Sequence, residues 1–150
     1  MEIDKSTQGK RNRLAGADFE RRTKKHLQEF GWIVDRWTNN VELPHEKFVA
    51  INENQNPCNS KIFVSGKCIP AKSNRFNTRT NGFPDFFAYK LGLKFNFIEC
   101  KINGRLDKTE KLKAQWYLDN NYCDKFFIAY KTIENGKVHV NLKEFNQSNQ

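Results

Sequence analysis

Phe95-Asn96-Phe97-Ile98-Glu99-Cys100-Lys101 is the stretch on which the fold turns. Its run of apolar residues reads as a β-strand. Side chains alternate along a strand, so Glu99 and Lys101 share one face while Ile98 and Cys100 share the other. A carboxylate and an ammonium at neighbouring same-face positions of an apolar strand are costly unless paired or metal-bound. Just upstream, residues 86–91 read as a second strand, Gly92 turns the chain, and Gly82-Phe83-Pro84-Asp85 leads in. If the two strands pair as a hairpin-like unit, Asp85 comes close to Glu99, and two carboxylates together attract a hard divalent cation. On spacing alone the ordinary alternative stands ahead: a partly exposed ion pair on an edge strand, with Asp85 a plain turn residue.

Downstream, Asn103-Gly104 breaks the strand. Asp107 and Glu110 have the spacing of a capping box, which predicts a helix from about Lys108 to Asn120. Two closing strands follow at residues 125–131 and 138–142, joined by the Asn135-Gly136 turn. Upstream, Ala15, Phe19, Thr23, Leu27 and Phe30 fall on one stripe at about 100° per residue. They predict a helix over residues 15–30, weakened at its start by Gly16 and stopped by Gly31. A short strand over residues 33–37 comes next. Residues 1–13, polar and basic, read as a flexible arm. Residues 38–81 read as a loop-rich insertion holding one small hairpin at 61–69, broken by Ser65-Gly66. There is no internal repeat. The expectation is a single α/β domain over residues 1–150, built on a mixed sheet flanked by helices.

The chain has 150 residues and a formal net charge of +9, from 26 Lys and Arg against 17 Asp and Glu. A balance of this sign points to a polyanionic partner, since each neutralised phosphate releases counterions. Surface lysines kept for solubility, or an acidic protein partner, are the plainer alternatives. No stretch approaches the ~20 apolar residues of a membrane span, and the charged N-terminus does not read as a signal peptide. Four cysteines without such a signal read as thiols. A cytoplasmic protein, away from membranes, is the resulting expectation.

Phosphodiester hydrolysis needs a metal that polarises the phosphoryl group and acidifies a water, and a cation that offsets developing charge. Pro84-Asp85 followed by Glu99-Cys100-Lys101 resembles the PD-(D/E)xK nuclease superfamily, whose core is restriction-endonuclease-like. Gly82-Phe83-Pro84-Asp85, the Phe97 to Lys101 strand, Gly104-Arg105-Leu106 and Gln115 look most like its VRR-NUC branch. Trp37 and Asn39 fall where that branch often carries an aromatic or Arg and an Asn. Archaeal Holliday-junction resolvases are similar in the same core. The resemblance covers about residues 17–37 and 81–120.

It implies Asp85 and Glu99 as ligands of Mg²⁺ or Mn²⁺, helped by the Cys100 backbone carbonyl, and Lys101 as the catalytic lysine. It implies Glu20 as an assisting carboxylate on the first helix; a surface glutamate pairing with Lys24 is the alternative. It also implies Gln115 near the site, against a half-buried residue bonding backbone. A DNA endonuclease acting on branched, flapped or junction substrates follows from the resemblance, as does a homodimer, for which the closing strands offer an interface. One departure is Asp107 where the family usually has Ser; Asp caps a helix equally well but adds negative charge near a phosphate path. A non-cutting nucleic-acid-binding module on the same fold, or a basic RNA- or ribosome-associated protein, are the rival readings.

Other features carry less. Cys58, Cys68 and His45 lack the close Cys-Cys pair of a zinc site. Cys123 reads as packing, and His26 and His139 are isolated. Basic residues cluster at 10–13, 21–25, 72–79 and 108–113. Arg75, Arg79, Arg105 and Lys108 are the candidate nucleic-acid contacts, with Phe76 interleaved among those of the insertion.

Overall fold

The computed structural model describes residues 5–50, 59–71, 82–92 and 95–146. The chain forms α1 (Lys5–Glu29), β1 (Ile33–Arg36), β2 (Asn39–Glu42), β3 (His45–Ala50), β4 (Asn59–Val64) and β5 (Lys67–Pro70). It continues with β6 (Phe86–Tyr89), β7 (Asn96–Cys100), α2 (Lys108–Asp119), β8 (Lys125–Glu134) and β9 (Lys137–Glu144). Five strands make one mixed sheet in the order β1-β6-β7-β8-β9. Only β7 and β8 run parallel, joined through α2; the other neighbours are antiparallel.

Strand alternation divides the core between the two faces of this sheet. Phe97, Phe126 and Ile128 pack with Ala114 and Tyr117 of α2. Ile98 and Ala129 pack with Phe19 and Leu27 of α1. The central strand β7 is therefore covered on both sides, which suits a parallel neighbour and leaves the strand almost continuously buried, Asn96 and Glu99 included. The two helices sandwich the sheet. Among the described residues no helix is long and apolar enough to cross a membrane.

α1 starts at Lys5, well before the expected Ala15, so the supposed flexible arm is helical from residue 5 onward. The lack of an apolar stripe over those first turns marks a solvent-facing helix, not a break in one. The buried stripe is also shorter than expected: Phe19, Thr23 and Leu27 are inside, while Ala15 and Phe30 are exposed. Gly31 does end the helix, at φ +78°, with its N–H on Gln28 O at 2.9 Å. α2 has the full capping box: Asp107 accepts from Glu110 N, and the Glu110 side chain accepts from Asp107 N. The β8–β9 hairpin closes at Asn135 (φ 50°) and Gly136 (φ 73°), a left-handed pair that matches strand twist.

The insertion is not loop-rich where it is described. Its strands form two ladders, β2 with β5 and β3 with β4. The expected 61–69 hairpin does not form: Lys61 faces Phe48 and Lys67 faces Glu42. Ser65-Gly66 is the bend between ladders. A Cβ on Gly66 would lie 2.5 Å from Trp116 Nε1 and 2.9 Å from Pro44 Cδ, so the glycine serves close packing onto α2 rather than a hairpin turn. Val41 is buried in the α2-side core, with Leu43 and Cys68 against it. Lys113 Nζ donates to Asn40 Oδ1 at 2.9 Å, tying the base of the ribbon to α2.

Candidate active site

The β1–β6 ladder continues past its last paired residues. Trp37 N donates to Asp85 O, and Phe83 N donates to Asn39 O at 2.9 Å. Gly82 N also donates to Trp37 O, and a Cβ there would meet Asn39 O at 2.2 Å and Trp37 O at 2.6 Å. Two backbones touch here, and only glycine fits. Tyr117, fully buried on α2, donates its hydroxyl to Phe83 O at 2.7 Å and accepts from Trp37 Nε1 at 3.0 Å. Burial pushes the Tyr117 hydroxyl pKa up, which keeps it a donor at neutral pH. The 82–85 segment is thus fixed from both sides before its aspartate is reached.

Phe86 pairs with Ile98, so Asp85 stands opposite Glu99. Each carboxylate is held by the other's strand. Asp85 Oδ2 accepts from Cys100 N at 2.9 Å, and Glu99 Oε2 accepts from Asp85 N at 3.1 Å. Both side chains are buried, Asp85 at 9% and Glu99 at 6% exposure. Burial raises the pKa of Asp85; the Cys100 N–H opposes that rise and the Glu20 charge adds to it. Burial raises Glu99 too, with the charge of Asp85 adding to it. Two carboxylates facing each other out of water resist ionising together, and a divalent cation would relieve that cost.

Lys101 follows the strand, its N–H continuing the ladder to Ala129 O at 2.9 Å. Its Nζ lies 3.1 Å from Glu99 Oε1 and 2.5 Å from Glu110 Oε1. Burial works against the ammonium, but Glu110 and Glu99 outweigh it and lift the Lys101 pKa above the ordinary lysine value. Lys101 is therefore a cation at neutral pH, able to donate hydrogen bonds and offset negative charge but not to act as a general base. Glu110 is a residue that sequence reasoning missed. Its capping-box position was visible; its second oxygen reaching back to Lys101 was not.

Glu20 comes to the same end of the sheet. Its partner is Arg36 of β1, at 3.1 Å, not the Lys24 of the helical alternative. Gln115 stands apart from this cluster in its bonding: its amide donates to Asp119 Oδ1 at 2.6 Å, one turn further along α2. The neighbour that suggested an apolar setting, Leu112, is exposed, and the buried side of α2 is Ala114 and Tyr117. Among the described residues no three His, Cys, Asp and Glu side chains gather closely enough to hold a metal ion. The oxygen donors on hand are the Asp85–Glu99 pair, which is hard chemistry suited to Mg²⁺ or Mn²⁺.

Arg105 and Lys108 are exposed beside the start of α2. Arg75, Arg79, Phe76 and the rest of the 72–79 cluster lie outside the described residues, as does Cys58. Cys68, Cys100 and Cys123 are free thiols, and Cys123 is buried in the core as expected. Of the 21–25 cluster, Arg21 and Arg22 pair with Asp18 and Lys25 with Glu29, as on a solvated helix face. Comparison of the chain with protein-family models, with curated proteins and with solved structures gave no significant match.

Proposed function

We propose that the chain is a divalent-metal-dependent endonuclease that hydrolyses DNA phosphodiester bonds on a restriction-endonuclease-like core. The observation that carries this reading is the pair Asp85 and Glu99, buried face to face across adjacent strands, with Lys101 Nζ 3.1 Å from Glu99. Asp85 and Glu99 would hold the cation, with the Cys100 carbonyl and Glu20 assisting as the PD-(D/E)xK resemblance implies. The bound metal supplies Lewis-acid polarisation of the phosphoryl group and lowers the pKa of a water. Lys101, kept protonated and aimed by Glu110, offsets charge developing on the phosphate. The net charge of +9 favours the polyanionic substrate. Selectivity for branched, flapped or junction DNA and a homodimeric state belong to the same reading, on the family resemblance.

A second reading is a module that holds DNA without cutting it. It is favoured by Lys101 already engaging Glu99 and Glu110, and by the missing third acidic ligand among the described residues. One panel separates the two: linear, nicked, flapped and four-way DNA with Mg²⁺, with Mn²⁺ and with EDTA. The nuclease nicks at least one substrate with metal and none with EDTA, and Asp85→Ala and Glu99→Ala abolish cutting while retaining binding. If both variants cut like wild type, the site is misassigned. If wild type cuts nothing but binds, the module is the function.

A further inference from the structure

Beside the carboxylate cluster, but separate from it, is a cleft of about 380 Å³ between the loop after β7, the start of α2 and the end of β9. That volume lies in the ~300–1,000 Å³ range of small-ligand sites. Its floor is apolar, made by Leu106, Ile128 and Phe145, all buried. Arg105, Lys111 and Lys143 also line it, and none of the three has an ion-pair partner among the described residues. Glu144 is the acidic exception, and its Oε2 is engaged by Lys125 at 2.9 Å.

The cleft is built rather than accidental. Gly104 sits at φ +68°, and a Cβ there would come 3.0 Å from Tyr130 Cβ, so the loop lies flush against β8. The Lys143 ammonium is 5.7 Å from the Tyr130 ring centre and 3.5 Å from that same point beside Gly104. Gly104 N donates to Lys101 O at 2.8 Å, so the cleft begins one turn from the lysine of the site. An apolar floor with a cationic lining matches a nucleotide unit, whose sugar is apolar on one face and whose phosphate is anionic.

We infer that this cleft seats a phosphodiester of the DNA backbone, flanking the bond at Asp85 and Glu99, with Arg105, Lys111 and Lys143 as its contacts. The identity of the polyanion rests on the nuclease reading; the site itself does not. The test is fluorescence-anisotropy titration of a labelled DNA duplex in EDTA across a series of salt concentrations. Each phosphate contact contributes about 0.9 to the slope of log affinity against log salt. The Lys111→Gln/Lys143→Gln variant should lose about 0.9 of slope, the share of the one phosphate seated there. A control removing equal charge elsewhere, Lys47→Gln/Lys90→Gln, should stay near the wild-type slope. Equal thermal midpoints establish that both variants are folded.

A wild-type slope in the cleft variant overturns the inference, and so does an equal fall in the control. If wild type binds with the cleft-dependent slope yet cuts nothing with Mg²⁺ or Mn²⁺, the nuclease reading falls and the cleft stands. If wild type does not bind DNA, both fall.

Discussion

Replacing Tyr117 with phenylalanine isolates one hydroxyl on which the position of Asp85 depends. The ring keeps its place against Phe97, at 4.8 Å between centroids, so packing changes little. What goes is the donor to Phe83 O at 2.7 Å and the acceptor for Trp37 Nε1 at 3.0 Å. Phe83 is buried, so its carbonyl loses a partner where water does not easily replace it. An unsatisfied buried group costs about 1–3 kcal/mol, and the half-buried indole N–H adds a smaller amount. Together the expected loss is about 2–4 kcal/mol. At ~2–4 °C per kcal/mol for a domain of this size, the thermal midpoint falls by roughly 4–16 °C. Urea unfolding monitored by circular dichroism gives the free energy directly, with Tyr89→Phe as a control expected within about 0.5 kcal/mol of wild type. Under the nuclease reading, cleavage well below the midpoint also falls, by up to about 100-fold, because Asp85 shifts with the 82–85 segment. A Tyr117→Phe protein within about 0.5 kcal/mol of wild type would refute the claim that this hydroxyl pins the site.

Metal-free stability should depend on pH through Asp85 and Glu99. Their folded pKa values are raised above those of the unfolded chain. The folded state therefore binds more protons between the two values, and stability drops as pH rises through that window. Thermal melts in EDTA from pH 5 to pH 8 should show the drop, Glu99→Gln should flatten it, and added Mg²⁺ should stabilise wild type more at pH 8 than at pH 5. Under the nuclease reading, Lys101→Gln should cut the cleavage rate by about 100- to 1,000-fold in single-turnover assays while duplex affinity changes far less. Asp107→Ala should cost about 1 kcal/mol in urea unfolding, through loss of the α2 cap. Gly82→Ala should destabilise by more than about 2 kcal/mol on the same assay, since its Cβ has no room beside Asn39 O.

Elements carried by local pattern were legible. The capping box gave the start of α2, Gly31 the end of α1, and Asn135-Gly136 the last hairpin. The insertion was misread because β2 pairs with β5 across 25 residues or more, Glu42 with Lys67 and Asn39 with Pro70, with the β3–β4 ladder nested between them, whereas local spacing pairs 61–69 with itself. Gly66 looked like a turn signal and is a packing contact.

For the candidate site, the sequence by itself determined which residues share a face and which can stand opposite each other. Period-two alternation placed Glu99 and Lys101 on one face, and a turn between two apolar runs set Asp85 opposite Glu99, because strand geometry and a short connection leave few other registers. Only the tertiary structure decided what those groups meet. Glu20 found Arg36 across 16 residues, Lys101 found Glu110 at the head of α2, and Tyr117 closed on Phe83 across 34 residues. Such contacts depend on how helices settle onto a finished sheet. That is set by the packing of both faces at once, which no local spacing encodes.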